Sequence, residues 1–169
     1  MFGFVTIRDS EVGILERKRG GLKMEPGQFV ARDRLHNGIQ AETLTPGAYW
    51  FNRFIWNVRK IPISYIGVGY IGIVYAIDGR PLREGQTKGA YVDCNLYQDG
   101  EAFLSNGGKK GEQARHLLPG MYRINPHLFR VLVIPEKKED KKGINVEDNS
   151  PPADDKITAH MISRFDDLE

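Results

Sequence analysis

The feature that most constrains this chain is a stretch that occurs twice. Gly38-Ile-Gln-Ala-Glu-Thr-Leu-Thr-Pro-Gly-Ala-Tyr-Trp-Phe-Asn runs on through Val58 to Ile61-Pro62. Gly111-Glu-Gln-Ala-Arg-His-Leu-Leu-Pro-Gly-Met-Tyr-Arg-Ile-Asn runs on through Val131 to Ile134-Pro135. The offset is 73 residues, the 25 positions align without a gap, and eleven are identical. Ile55 faces Leu128 and Trp56 faces Phe129, so the apolar pattern recurs with the identities. Self-similarity of this kind is the mark of one structural unit used more than once. The preceding segments match at an offset near 59, Val12-Gly-Ile-Leu against Ile71-Gly-Ile-Val and Gly27 against Gly85. The second copy therefore carries about 14 extra residues, between Lys88 and Gly111. The copies cover roughly residues 8 to 62 and 66 to 135, within segments 1–63 and 64–135.

Each copy reads as β structure. Short apolar runs bounded by turn residues are the strand signal, and they occur at Val12 to Leu15, Tyr49 to Phe51, Ile71 to Ile77 and Phe129 to Ile134. In Leu-x-Pro-Gly-x-Tyr, proline fixes φ at one turn position and glycine permits positive φ at the next, which predicts a type II turn. Asp78-Gly79 is a dipeptide that favours a tight hairpin. The extra residues differ in character: Leu96, Phe103 and Leu104, with Asp93 or Asn95 as N-cap, suggest a short helix ending at Asn106-Gly107-Gly108. The expected fold is mainly β, two tandem small β-modules with a short helix inserted in the second.

After Pro135 the composition shifts. Glu136-Lys-Lys-Glu-Asp-Lys-Lys-Gly is dense charge and Asn149-Ser-Pro-Pro is a breaker cluster, so segment 136–169 is expected to begin as a flexible linker. Beyond it, Ile157, Met161, Ile162, Phe165 and Leu168 fall near helical spacing. They predict a short amphipathic docking element, with Ile157, Met161 and Phe165 as interface residues.

The 24 basic and 22 acidic residues leave a net charge of +2, which gives no general argument for nucleic acid or an anionic membrane. Cys94 is the only cysteine, so no internal disulfide can form and a reducing, cytoplasmic setting is expected. Met1-Phe-Gly-Phe-Val lacks a basic segment before a long apolar run and does not read as a signal peptide. No stretch reaches the roughly 20 apolar residues of a membrane span.

One resemblance emerges from the second copy. Asn95-Leu-Tyr-Gln-Asp-Gly-Glu-Ala-Phe-Leu-Ser-Asn-Gly-Gly-Lys-Lys-Gly-Glu-Gln, followed by Leu118-Pro-Gly-Met-Tyr-Arg-Ile-Asn-Pro, resembles the β-repeats that precede the SPFH (band 7, flotillin-like) domain of bacterial proteins. The Pro-Gly-x-Tyr element is similar, more distantly, to the small repeats of the major vault protein. The resemblance spans about residues 10 to 135 and implies a non-enzymatic element of an oligomeric scaffold. It implies self-association or a larger SPFH-type partner, and a peripheral position at the inner face of a membrane. The SPFH domain, its coiled coil and its membrane anchor have no counterpart in this sequence, leaving a fragment, a stand-alone relative or a partner of a larger chain as alternatives.

Chemistry-bearing motifs are sparse. Cys94 beside His36, His116 and His127 lacks any spacing that would pair thiol and imidazole, and His116 and His127 replace Thr43 and Phe54 in the repeat. No short-spaced His, Cys or carboxylate set suggests a metal. Asn106-Gly-Gly-Lys-Lys-Gly lacks the spacing and the Ser/Thr of a phosphate-binding loop. No catalytic residue, cofactor or small-molecule substrate is therefore expected. Arg17, Lys18, Arg19, Lys109 and Lys110 are candidate anion-binding residues, the basis of an alternative reading as a binder of nucleic acid or anionic lipid, with nucleic acid the less favoured. Strand alternation places Tyr49 and Phe51 on one face and Trp50 on the other, so Trp50 and Trp56 are candidate interface residues.

Overall fold

Strand alternation and turn chemistry lead to a mainly β structure. The computed structural model describes residues 2–136; the calls on the charged linker and on Ile157, Met161 and Phe165 lie outside the described residues. The strands are β1 (Phe2–Ile7), β2 (Glu11–Arg17), β3 (Gly38–Leu44), β4 (Gly47–Asn52), β5 (Trp56–Pro62), β6 (Ser64–Ile66), β7 (Tyr70–Ala76), β8 (Gly111–Glu112), β9 (Gly120–Tyr122) and β10 (Phe129–Pro135). One helix, α1 (Gly100–Ser105), lies between β7 and β8. Four small antiparallel sheets result, in the orders β1-β4, β3-β2-β5, β6-β9 and β10-β7-β8.

The pairings of the second half follow those of the first at the two sequence offsets. Glu11 pairs Pro62 and Arg17 pairs Trp56, while Tyr70 pairs Pro135 and Ala76 pairs Phe129. Ile7 pairs Gly47 as Ile66 pairs Gly120. Buried Gln40 donates its amide N–H groups to the carbonyls of His36 and Gly38, and buried Gln113 donates to those of Lys109 and Gly111. Gly13 and Gly72 explain themselves the same way. A Cβ on either would lie within 3 Å of an Ile side chain, Ile7 or Ile66, crossing over the strand.

Three local expectations need correction. The Pro-Gly element is not a type II turn: Gly47 has φ 154°, Gly120 is not among the positive-φ glycines, and both begin strands. At Gly47 the positive φ favours glycine; at Gly120 the tyrosine two residues on folds back until its ring atoms stand 3.3 Å from where a Cβ would be. Each tyrosine hydroxyl then donates to a carbonyl four residues earlier, Tyr49 to Thr45 and Tyr122 to Leu118. Asp78-Gly79 makes no hairpin, because the Asp78 carboxylate is drawn inward by backbone N–H groups of the first half. The helix is capped by Asp99, which accepts from the Ala102 amide at 2.9 Å, not by Asp93 or Asn95. Asn95, Leu96 and Tyr97 precede it as three successive left-handed residues, a conformation costing roughly 1–2 kcal/mol per residue. Leu96 therefore stands outside the helix. Burial of Tyr97, whose hydroxyl donates to the Arg115 carbonyl at 2.8 Å, holds the strained run in place.

The described residues pack as one compact unit. Its main core gathers around Tyr97, Phe103, Leu117, Leu128 and Phe129 and includes two side chains of the first half, Val30 and Ala41. Phe103 and Phe129 meet edge to face at 4.8 Å, and Tyr97 reaches Phe129 at 5.4 Å, an arrangement that favours aromatic packing beyond area burial. Ile7, Val12, Ile14, Leu15 and Leu44 are buried in the first half.

Candidate interaction surfaces

Alternation along β1 and β4 divides their residues between two faces. Tyr49 and Phe51 turn to the half-buried side and stack with centroids 6.0 Å apart. Phe2, Phe4 and Trp50 turn outward and are 73%, 55% and 71% exposed. Phe4 and Trp50 are cross-strand partners with rings 5.0 Å apart. Trp50 thus lies on an exposed aromatic face, and Phe2 and Phe4 join it. Their Phe-x-Phe alternation was the signal in the sequence that could have found them.

Trp56 stands differently. It is half-buried, and the Arg17 guanidinium covers its ring at 5.4 Å. Arg17 is held there by the carbonyls of Arg19, Gly20 and Arg34. The corresponding pair in the second half is Ala76 and Phe129, where Phe103 and Tyr97 of the inserted segment do the covering.

The basic residues are not brought together. Lys18 lines a cleft of about 200 Å³ with Phe4, Phe51, Arg53 and Trp56. Lys110 lines another of about 410 Å³ with Arg32, Asp78 and Arg80. Most are engaged within the chain: Lys109 bonds Gln86, and the Lys110 ammonium donates to the Gly27 carbonyl at 3.1 Å and lies 5.3 Å over the Phe29 ring. Arg19 contributes its carbonyl to Arg17 and shows no side-chain hydrogen bond among the described residues.

The junction between the halves was not legible in advance. Asp78 is 4% exposed, and its carboxylate accepts the amides of Phe29 at 2.6 Å, Val30 at 3.0 Å and Gly79 at 2.7 Å. Lys110 lies 3.8 Å away. Buried Asn125 donates to the Gln40 carbonyl at 2.8 Å. Gly100, opening α1, lies so close to β3 that a Cβ would come within 2.4 Å of the Ala41 carbonyl. Buried carboxylates and amides persist only where their hydrogen bonds are met, and here the first half's backbone meets them.

No protein-family model, curated protein or solved structure matches the chain.

Cys94 is buried and its thiol pKa is raised, chiefly by that burial, the reverse of an activated thiolate. His127 is held below its ordinary pKa by burial and then by the Arg59 charge. His36 sits 2.7 Å from Asp33, whose pKa its hydrogen bond lowers. Among the described residues, no three His, Cys, Asp or Glu side chains are grouped to hold a metal. No helix among them is long and apolar enough to cross a membrane.

Proposed function

We propose that the chain is a non-enzymatic scaffold element, two copies of one β unit joined in series, that assembles with other protein through the Phe2–Phe4–Trp50 face. The observation that carries this reading is three large aromatic side chains, each more than half exposed, on one face of a two-stranded sheet. A contiguous apolar surface of this kind marks an interaction site more often than an isolated exposed residue does, and aromatic anchors dominate interface energetics. The resemblance of the second copy to the β-repeats of flotillin-like proteins supports the same class of function and a place near a membrane surface. The alternative, binding of anionic lipid or nucleic acid through basic loops, is disfavoured by the engagement of Arg17, Lys109 and Lys110 within the chain.

The test is size-exclusion chromatography with light scattering across a concentration series. Under the proposal the wild-type chain self-associates and the Phe4→Ser/Trp50→Ser double variant is monomeric with a nearly unchanged melting temperature. A wild-type chain that stays monomeric at millimolar concentration, and loses no partner in cell-extract crosslinking when doubly substituted, would refute the assembly role.

A further inference from the structure

The first half offers the second a patch of backbone: the amides of Phe29 and Val30, the carbonyls of Gln40 and Ala41, and the small side chains of Ala31 and Ala41. The hydrogen bonds that define this patch recur in the second half. Ala31 donates to the Ile39 carbonyl and Ala41 to that of Ala31, as Gly89 donates to the Glu112 carbonyl and Ala114 to that of Gly89. Thr87 and Lys88 therefore stand where Phe29 and Val30 stand, and Gln113 and Ala114 where Gln40 and Ala41 stand. Ala41 is buried under α1, whereas Thr87, Lys88 and Ala114 are exposed. Among the described residues the amides of Thr87 and Lys88 and the carbonyl of Gln113 have no hydrogen-bond partner.

We infer that this face of the second half docks a further β unit that carries a carboxylate at the position of Asp78 and a side-chain amide at the position of Asn125. The inference rests on the serial-unit reading above and names the chemistry of the partner. Gln113-Ala114 repeats the Gln40-Ala41 carbonyl edge to which Gly100 makes its close approach. Lys88, in place of Val30, already pairs with Glu112 at 2.6 Å, so the two unpartnered amides are what a partner's carboxylate would meet. A second copy of this chain is a poor occupant. Its own Asp78 is already engaged, and its first half has Arg19-Gly20 where the second has Asp78, and no helix. The partner is thus a further unit of the second half's kind.

The experiment extends the intact chain by inserting a duplicate of residues 64–135 after Glu136 and follows amide hydrogen exchange by NMR. In the parent chain Phe29 and Val30 should be protected and Thr87 and Lys88 should exchange freely. In the extended chain Thr87 and Lys88 should slow by about tenfold or more, and Asp78→Ala in the added unit alone should restore their fast exchange. Thr87 and Lys88 exchanging at the parent rate beside a folded added unit would overturn the inference. So would an added unit that exchanges throughout as unfolded chain, because the same residues fold against the first half. Neither result bears on self-association through Trp50, so the two proposals fail separately.

Discussion

Asn52 and Asn125 occupy corresponding positions and make the same local bond, which lets the junction be weighed against an internal control. Each side-chain oxygen accepts the backbone N–H two residues on at 3.0 Å, from Phe54 and from His127. Only Asn125 is fully buried, and only Asn125 also donates across to Gln40 at 2.8 Å. Asn52→Ala removes one partly exposed hydrogen bond, worth about 0.5–1.5 kcal/mol. Asn125→Ala removes the same bond and strands a buried carbonyl, adding about 1–3 kcal/mol. The two substitutions should therefore differ by about 1–3 kcal/mol, with Asn125→Ala the more severe. Urea unfolding at neutral pH measures this by linear extrapolation, provided the m-values agree. Both tryptophans lie in the first half, so fluorescence reports that half and far-ultraviolet circular dichroism the whole; coincident transitions establish a single cooperative unit. Asn125→Asp, which keeps the acceptor and loses the donor, should be at least as costly as alanine. Equal costs at Asn52 and Asn125, within about 0.5 kcal/mol, would show that the cross-half bond contributes nothing and that the reasoning is wrong.

Three further outcomes are expected. Gly108→Ala should destabilise by about 1–3 kcal/mol in urea unfolding, since the new Cβ would fall 2.4 Å from Phe103 ring atoms in the core and overpacking carries that cost. Tyr122→Phe should cost about 1 kcal/mol and Tyr49→Phe less, because the same hydroxyl-to-carbonyl bond is part-buried in one case and exposed in the other; comparable denaturation midpoints for the pair would contradict it. The folded pKa of His127 lies below its ordinary value near 6.5, so the unfolded chain binds the proton more readily. Stability is then held above that pH and declines as pH falls from it through the folded pKa. His127→Phe, which installs the residue found at the corresponding position, should remove this part of the pH dependence, as melting temperatures from pH 7.5 to 5 would show.

Strands β2, β4, β7 and β10 were legible because their apolar runs are local; the remaining strands and the pairing order depend on tertiary approach and were not. Turn chemistry was less so. Proline and glycine in sequence predicted a backbone turn, whereas Gly47 and Gly120 open strands β4 and β9. Asp78-Gly79 carried a strong local hairpin preference that lost to two amides 48 and 49 residues away. The helix cap is Asp99 and not Asp93 or Asn95, because Asn95, Leu96 and Tyr97 adopt a left-handed run that no propensity favours. Of the candidate surface residues, Trp50 was legible from alternation alone. Trp56 and the basic residues were not, since the side chains that cover or engage them are set by tertiary approach.

The inserted helix has a consequence for synthesis. Its seat on β3, together with the Asn125 bond spanning 85 residues, means that the first half leaves the ribosome well before the surface that covers it exists. Val30 and Ala41 remain uncovered until the polypeptide has grown past Asn125. Contacts this distant in sequence close slowly, and exposed apolar surface in the interval invites association with other nascent chains. A transcript truncated between residues 63 and 124 would leave the first half without its cover, and clearance by quality-control proteases would be its expected fate.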